Sequence, residues 1–193
     1  TVVSASVARH FLGANPSFNT ALPHITMEGS ILPVCIVLGI LAGVLGVLFS
    51  KTIFFFNGVY SKIRVPNYLK PALAGFLTGL AGLFLPYILS SGNGSVEMLF
   101  KGELPIVLVC TIFCVKFIIT PLCFGSGAAG GIFLPMLMLG SFLGYITGFG
   151  ANLLGAEVNL VAISSLGMAG FLASVSRTPL TAVVMGFEMT GGD

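Results

Sequence analysis

Polar side chains interrupt the apolar ones at intervals that divide this chain into membrane-length segments. Residues 1–12 read as the tail of a helix ending near Gly13, followed by a polar connection with Asn15, Pro16, Ser17, Asn19, Pro23, His24 and Glu28. Residues 31–49 hold no charge, and a helix of that length spans the roughly 30 Å hydrocarbon core of a bilayer. Gly39, Gly43 and Gly46 give this run a face of small residues suited to close helix packing. Residues 53–60 either continue the helix past Lys51 or form a short interfacial piece. Lys51, Lys62, Arg64 and Lys70 gather around Pro66, which assigns this connection to the cytoplasmic side.

A second span is expected over residues 71–89, with Gly75, Gly79 and Gly82 along it. Residues 90–102, carrying Glu97 and Lys101, read as a polar loop on the opposite face. A third apolar segment, 104–124, is interrupted by Lys116 and Pro121. A glycine-rich break at 125–131 leads into an apolar run over 132–149. A gap with Glu157 precedes residues 158–175, and a last helix runs from near Pro179 to Met189. These runs are continuous and lack the two-residue alternation of a lipid-facing strand, so the fold is all-α and not a β-barrel. Several later segments are short and broken by glycine or proline. Broken helices at membrane depth persist only where protein shields the backbone or where they line a cavity. The pattern is that of a polytopic transmembrane bundle with broken and tilted helices, a transport-protein interior and not a simple anchor.

Composition agrees. The chain is 56% hydrophobic and 7% charged, with a mean hydropathy of +1.08, whereas a soluble domain needs about a quarter charged residues. Membrane lipid is therefore its solvent. A net charge of +2 without a basic cluster argues against nucleic acid and against a polybasic lipid patch. Cys35, Cys110, Cys114 and Cys123 lie in apolar runs without CxxC or Cys/His spacing, and read as small buried side chains, not metal ligands. No cofactor motif is present. There is no internal repeat, no soluble domain and no signal peptide, so residues 1–193 form one transmembrane unit. Both ends read as cuts through a longer polypeptide.

The stretch GSGAAGGIFLP, residues 125–135, is the richest in chemistry. It is a loop poor in side chains that feeds a helix, whose first turn offers amides without intrahelical partners and a partial positive charge. Such an end attracts an anion without the grip of a full cation, which a permeating ion must escape. Gly130 and Gly131 would let the ion approach the backbone, and Ile132 and Phe133 would exclude water. A glycine-rich helix crossing is the plainer alternative. Lys116 either snorkels, pairs with a carboxylate or serves the ion path. In SRTPLT, residues 176–181, Pro179 suits the first helical position, with Arg177 as an interfacial anchor. Glu188 near the far end of that helix is a functional or a structural carboxylate.

The blocks GSGAAGGIFLPMLMLGSFLGYITG and GMAGFLASVSRTPLTAVVMGFEMTGG resemble the second half of the CLC family of chloride channels and chloride/proton antiporters. The GGIF form is closer to bacterial members, while Ala129 departs from their common proline and puts the loop geometry in question. The resemblance implies one half of an inverted-repeat fold in a homodimer with one pathway per subunit, in a bacterial inner membrane. It implies that the amides of Ile132 and Phe133 help bind the central chloride ion, that Gly130 and Gly131 shape the approach, and that segments 1–12 and 179–189 lie near the subunit interface. It makes Glu188 structural. The family's serine ligand, its gating glutamate in GxEGP and its internal proton-transfer glutamate belong to the first half, and its coordinating tyrosine follows Asp193. The remaining segments of the same polypeptide are thus expected partners.

Three other readings compete. A secondary transporter with discontinuous helices could carry a small organic anion or a cation-coupled substrate, although intramembrane acids to hold a cation are almost absent. An intramembrane protease using Ser126 would need a histidine base, and His10 and His24 lie outside the strong apolar spans, so no catalytic residue is assigned. A purely structural membrane subunit would conduct nothing.

Overall fold

The computed structural model describes residues 31–63, 66, 68–89, 93–128, 130–182 and 184. Expectations for residues 1–30, Arg64, Ala129, Glu188 and Met189 lie outside this set. The described residues form six α-helices and a 3-10 turn. Helix α1 (Ile31–Lys62) is unbroken over 32 residues, so residues 53–60 continue the first span. At 1.5 Å per residue it is about 48 Å long, which requires it to tilt or to project from a ~30 Å core.

Helix α2 (Lys70–Phe84) has only 15 residues, so the expected span over 71–89 is cut short. Pro86 ends it by forcing Leu85 out of the helical region, to φ −136 and ψ 83. The 3-10 turn Pro86–Ile88 follows and sets Leu89 against Gly82. The expected loop at 90–102 also needs correction, because it contains helix α3 (Asn93–Phe100). Val96 and Leu99, three residues apart and each 1% exposed, form its inner face against α5. Glu97 and Lys101 pair at 2.9 Å on its outside, an exposed contact of little energetic weight.

Helix α4 (Ile106–Gly125) runs through both Lys116 and Pro121 without a break. Helices α5 (Phe133–Leu153) and α6 (Leu160–Ser176) follow. Among the described residues, three helices, α1, α4 and α5, are long and apolar enough to cross a membrane. Their burial differs: 56% of the apolar window of α5 is covered, against 22% for α1 and for α4. Helix α5 is thus the centre, and α1 and α4 turn apolar side chains such as Ile40, Val44, Phe54 and Ile118 outward. The cysteines follow this pattern. Cys35, Cys110 and Cys123 are half-buried and Cys114 is exposed, so they are not the fully enclosed side chains expected.

Two features hold α5 in place. Phe49 of α1, fully buried, meets Phe117 of α4 and Phe171 of α6 edge-on at 5.4 and 5.7 Å, which ties three helices together. The seam between α5 and α6 is built on Gly140, Gly144 and Gly167, where the backbones touch. A Cβ on Gly144 would lie 2.7 Å from Ser164 Cα and would press on the Ile163 carbonyl. In α1 the small-residue face is used more narrowly than its spacing suggests. Gly46 packs on Ser174 and the Gly43 carbonyl accepts from Ser174 Oγ at 3.3 Å, while space beside Gly39 and Gly43 is open.

Helix α6 begins at Asn159, whose Oδ1 accepts from the amides of Val161 and Ala162 at 2.9 and 3.2 Å. It ends at Arg177 in the left-handed conformation, φ 57. Helical backbone resumes at Pro179, with the Ala182 amide donating to the Thr178 carbonyl at 3.1 Å, as the Thr-Pro start predicts.

Gly144→Ala should destabilise the protein by about 1–3 kcal/mol, because the added methyl meets backbone that cannot rotate away. Gly39→Ala, with nothing within 4 Å of its Cβ, should leave stability unchanged. Thermal unfolding of both variants in detergent checks the pair.

Candidate functional site

The glycine-rich break does what its composition predicts. Helix α4 closes with the Ser126 and Gly127 amides donating to Cys123 and Phe124 at 3.3 and 3.2 Å. Gly127 takes φ +81, a conformation that a side chain would strain. The chain then turns through Gly130 and Gly131 into α5. Ile132 is its N-cap, at φ −92 and ψ −13, with no side-chain cap.

The first amide of α5 with a backbone acceptor is that of Met136, to Ile132 at 3.1 Å. Pro135 has no N–H to satisfy. Among the described residues, the amides of Gly131, Ile132, Phe133 and Leu134 donate no hydrogen bond. Helices α2 and α4 also lack side-chain caps, so this alone does not distinguish α5. Its setting does. The start of α5 borders a cavity of about 220 Å³, walled by α2, the 3-10 turn and α4, with room for an ion and some of its water.

Gly130, Gly131 and Ile132 line this cavity, as does Pro135. A Cβ placed on Gly130 or Gly131 would meet nothing within 4 Å, so their bareness leaves the backbone accessible and serves no packing contact. Phe133 is the first residue of α5, but it is not among the lining residues; its side chain packs against the core beside Ile132 and Leu134. Three of the four sequence-derived positions thus line the cavity, and Phe133 does not.

Other lining residues escape a reading based on the loop motif. Thr78 comes from α2, and Lys116, Thr120 and Cys123 come from α4. Thr78 Oγ1 donates to Ala74 at 2.8 Å and lies 2.9 Å from Cys123 Sγ. Lys116 does not snorkel. It is 6% exposed, and its Nζ donates to the Ile88 carbonyl at 2.7 Å across the cavity wall. The spacing of Lys116, Thr120 and Cys123 on one helix face was a usable signal, but nothing in the sequence says which face meets the α5 entrance.

The site therefore combines a helix N-terminus, spare amides, the Thr120 hydroxyl and one ammonium group, with no carboxylate among its lining residues; the Thr78 proton is already committed to the Ala74 carbonyl. Where water is partly excluded, these partial and full positive charges reinforce one another. The chemistry that suits them is reversible binding of a small anion. No cluster of three or more metal-ligating side chains occurs among the described residues.

Known proteins resemble this chain in sequence and in fold. The model of the voltage gated chloride channel family matches residues 1–193. An H(+)/Cl(-) exchange transporter, ClcA, of Vibrio campbellii is 35% identical over 163 residues, covering 80% of this chain and 34% of the relative. Chloride channel protein CLC-f of Arabidopsis thaliana is 32% identical over 207 residues, covering 98% of this chain and 26% of that protein. A crystal structure of a slow cyanobacterial Cl-/H+ antiporter superposes with a TM-score of 0.78 at 28% identity, over 90% of this chain and 41% of that one. The chain spans roughly a quarter to two-fifths of the length of these relatives. It is a multi-pass membrane chain that belongs to the voltage gated chloride channel family.

Proposed function

We propose that this chain is part of a protein that passes chloride across a membrane, as a channel or a chloride/proton antiporter, with Gly130, Gly131, Ile132 and Phe133 as its anion-binding segment. The observation that carries the reading is the α5 entrance: amides without acceptors among the described residues stand beside a cavity that is also lined by the buried Lys116. The names of the relatives, which include both exchange transporters and a channel, support the cargo. Gly130 and Gly131 act by leaving the backbone bare, and Ile132 and Phe133 by presenting N–H groups.

Weak individual donors suit transport. Amide dipoles hold a halide firmly enough to strip part of its water, yet not so firmly that it cannot leave. The working unit is a homodimer in the cell membrane of a bacterium, and the remaining segments of the polypeptide complete each pathway. The protein performs no covalent chemistry in this reading.

Chloride efflux from liposomes holding the protein that carries this chain tests the proposal. Chloride-selective flux is expected, and its absence from folded protein would defeat the reading. Phe133→Pro should weaken chloride binding about tenfold or more, because it removes a donor to a charged ligand and opposes the helical backbone of Ile132. An amide-to-ester exchange at Phe133 isolates the lost donor, and isothermal titration with chloride reads both changes. The 193-residue chain alone should give no chloride-selective flux in liposomes, because it spans only 26–42% of its relatives' length and supplies one wall of the pathway.

A further inference from the structure

We propose that Thr78 and Cys123 are positioning residues that tie the α2 wall of the cavity to the start of the glycine loop, and that this tie sets how tightly the site holds its anion. The proposal rests on the α5 entrance being the anion site. It concerns two residues that line the cavity without serving as its donors.

The count of protons gives the contact between them a direction. A threonine hydroxyl has one proton, and that of Thr78 goes to the Ala74 carbonyl at 2.8 Å. The proton in the 2.9 Å contact between Thr78 Oγ1 and Cys123 Sγ therefore comes from the thiol. Neither side chain then has a proton left for an anion. Cys123 is engaged through its backbone as well. Its carbonyl accepts from Ser126 Oγ at 2.6 Å and from the Ser126 amide at 3.3 Å, where α4 gives way to the loop that leads to α5. Ala74, Thr78, Cys123 and Ser126 thus form a continuous line from α2 to that loop.

Helix α2 has little else in this chain to fix it. Its buried residues are Ala74 and Gly82, while Phe76, Leu80, Leu83 and Phe84 are exposed. Ala74, Thr78 and Gly82 recur every four residues and so share one face. Two of these three carry a methyl group or no side chain, so dispersion holds that face weakly. Thr78 supplies a directional contact there, and it is the α2 residue that lines the cavity. The position of this wall controls how much water stands beside the α5 amides. Water screens their dipoles, so a wall that swings outward weakens their hold on a charge.

The test uses the protein that carries this chain, with chloride titration, thermal unfolding and infrared spectroscopy of the S–H stretch on each variant. Thr78→Val removes the acceptor of the thiol proton, Thr78→Ser keeps one, and Cys123→Ala removes the donor. Chloride affinity should fall about threefold in Thr78→Val and in Cys123→Ala, the scale of one ordinary hydrogen bond, and should stay at the wild-type value in Thr78→Ser. The double variant should lose no more than either single one, because both break the same contact. One S–H band should move to higher frequency in Thr78→Val, as a freed thiol requires, and return in Thr78→Ser. Wild-type affinity in folded Thr78→Val and Cys123→Ala, or losses that multiply in the double variant, would overturn the proposal while leaving the α5 site standing. An S–H spectrum unmoved by Thr78→Val would overturn it too. Should Cys123→Ala not fold, affinity and S–H band in Thr78→Val and Thr78→Ser decide by the same criteria. A wild-type protein that binds no chloride would instead remove the α5 reading, and this one with it.

Discussion

Backbone amides that have no acceptor are tolerated at a protein surface because water satisfies them, and are costly away from water. At the start of α5 the amides of Gly131, Ile132, Phe133 and Leu134 make no bonds among the described residues, and a cavity lined by α2, the 3-10 turn and α4 lies beside them. Much of the structure follows from keeping that end of α5 both bare and in place. The helix must be central, so that its N-terminus lies inside the bundle. It must not be capped by its own side chains, in contrast to α6, whose Asn159 satisfies two amides. It must also be held against movement without polar contacts at its entrance.

The packing meets that last need far from the site. The glycine seam with α6 brings backbone against backbone along Gly140 and Gly144, a contact that lipid cannot replace and that fixes α5 in register. Phe49 adds a rigid junction among α1, α4 and α6. Proline serves in two ways. Pro86 ends α2 early and lets the 3-10 turn form a wall of the cavity, and Pro135 occupies the third helical position, where it removes one donor from the set.

Sequence pattern made the spans and the α5 entrance legible, because both depend on local properties. An uncharged run of membrane length specifies a helix, and a loop with no side chains before an apolar helix specifies exposed amides. The start at Pro179 was legible for the same reason. The features that were missed depend on tertiary partners. Helix α3 lies in a stretch with too few apolar residues to register as a span, and it forms because Val96 and Leu99 bury against α5. Residues 71–89 have the hydropathy of a span, but Pro86 divides them. Lys116 and Thr120 were ambiguous because helical spacing gives a shared face without saying what that face meets. Gly39 and Gly43 show the converse: among the described residues, the close contact their spacing promised is made by Gly46, one turn on.

The central claim is that an anion sits at the α5 entrance, held by backbone donors. Bromide is a close chemical stand-in for chloride and scatters X-rays anomalously, so diffraction from crystals of the protein grown in bromide locates it directly. The account predicts an anomalous peak in the cavity within hydrogen-bonding distance of the amides of Ile132 and Phe133. Bromide found elsewhere in the membrane region, with those amides bonded to protein, would contradict it.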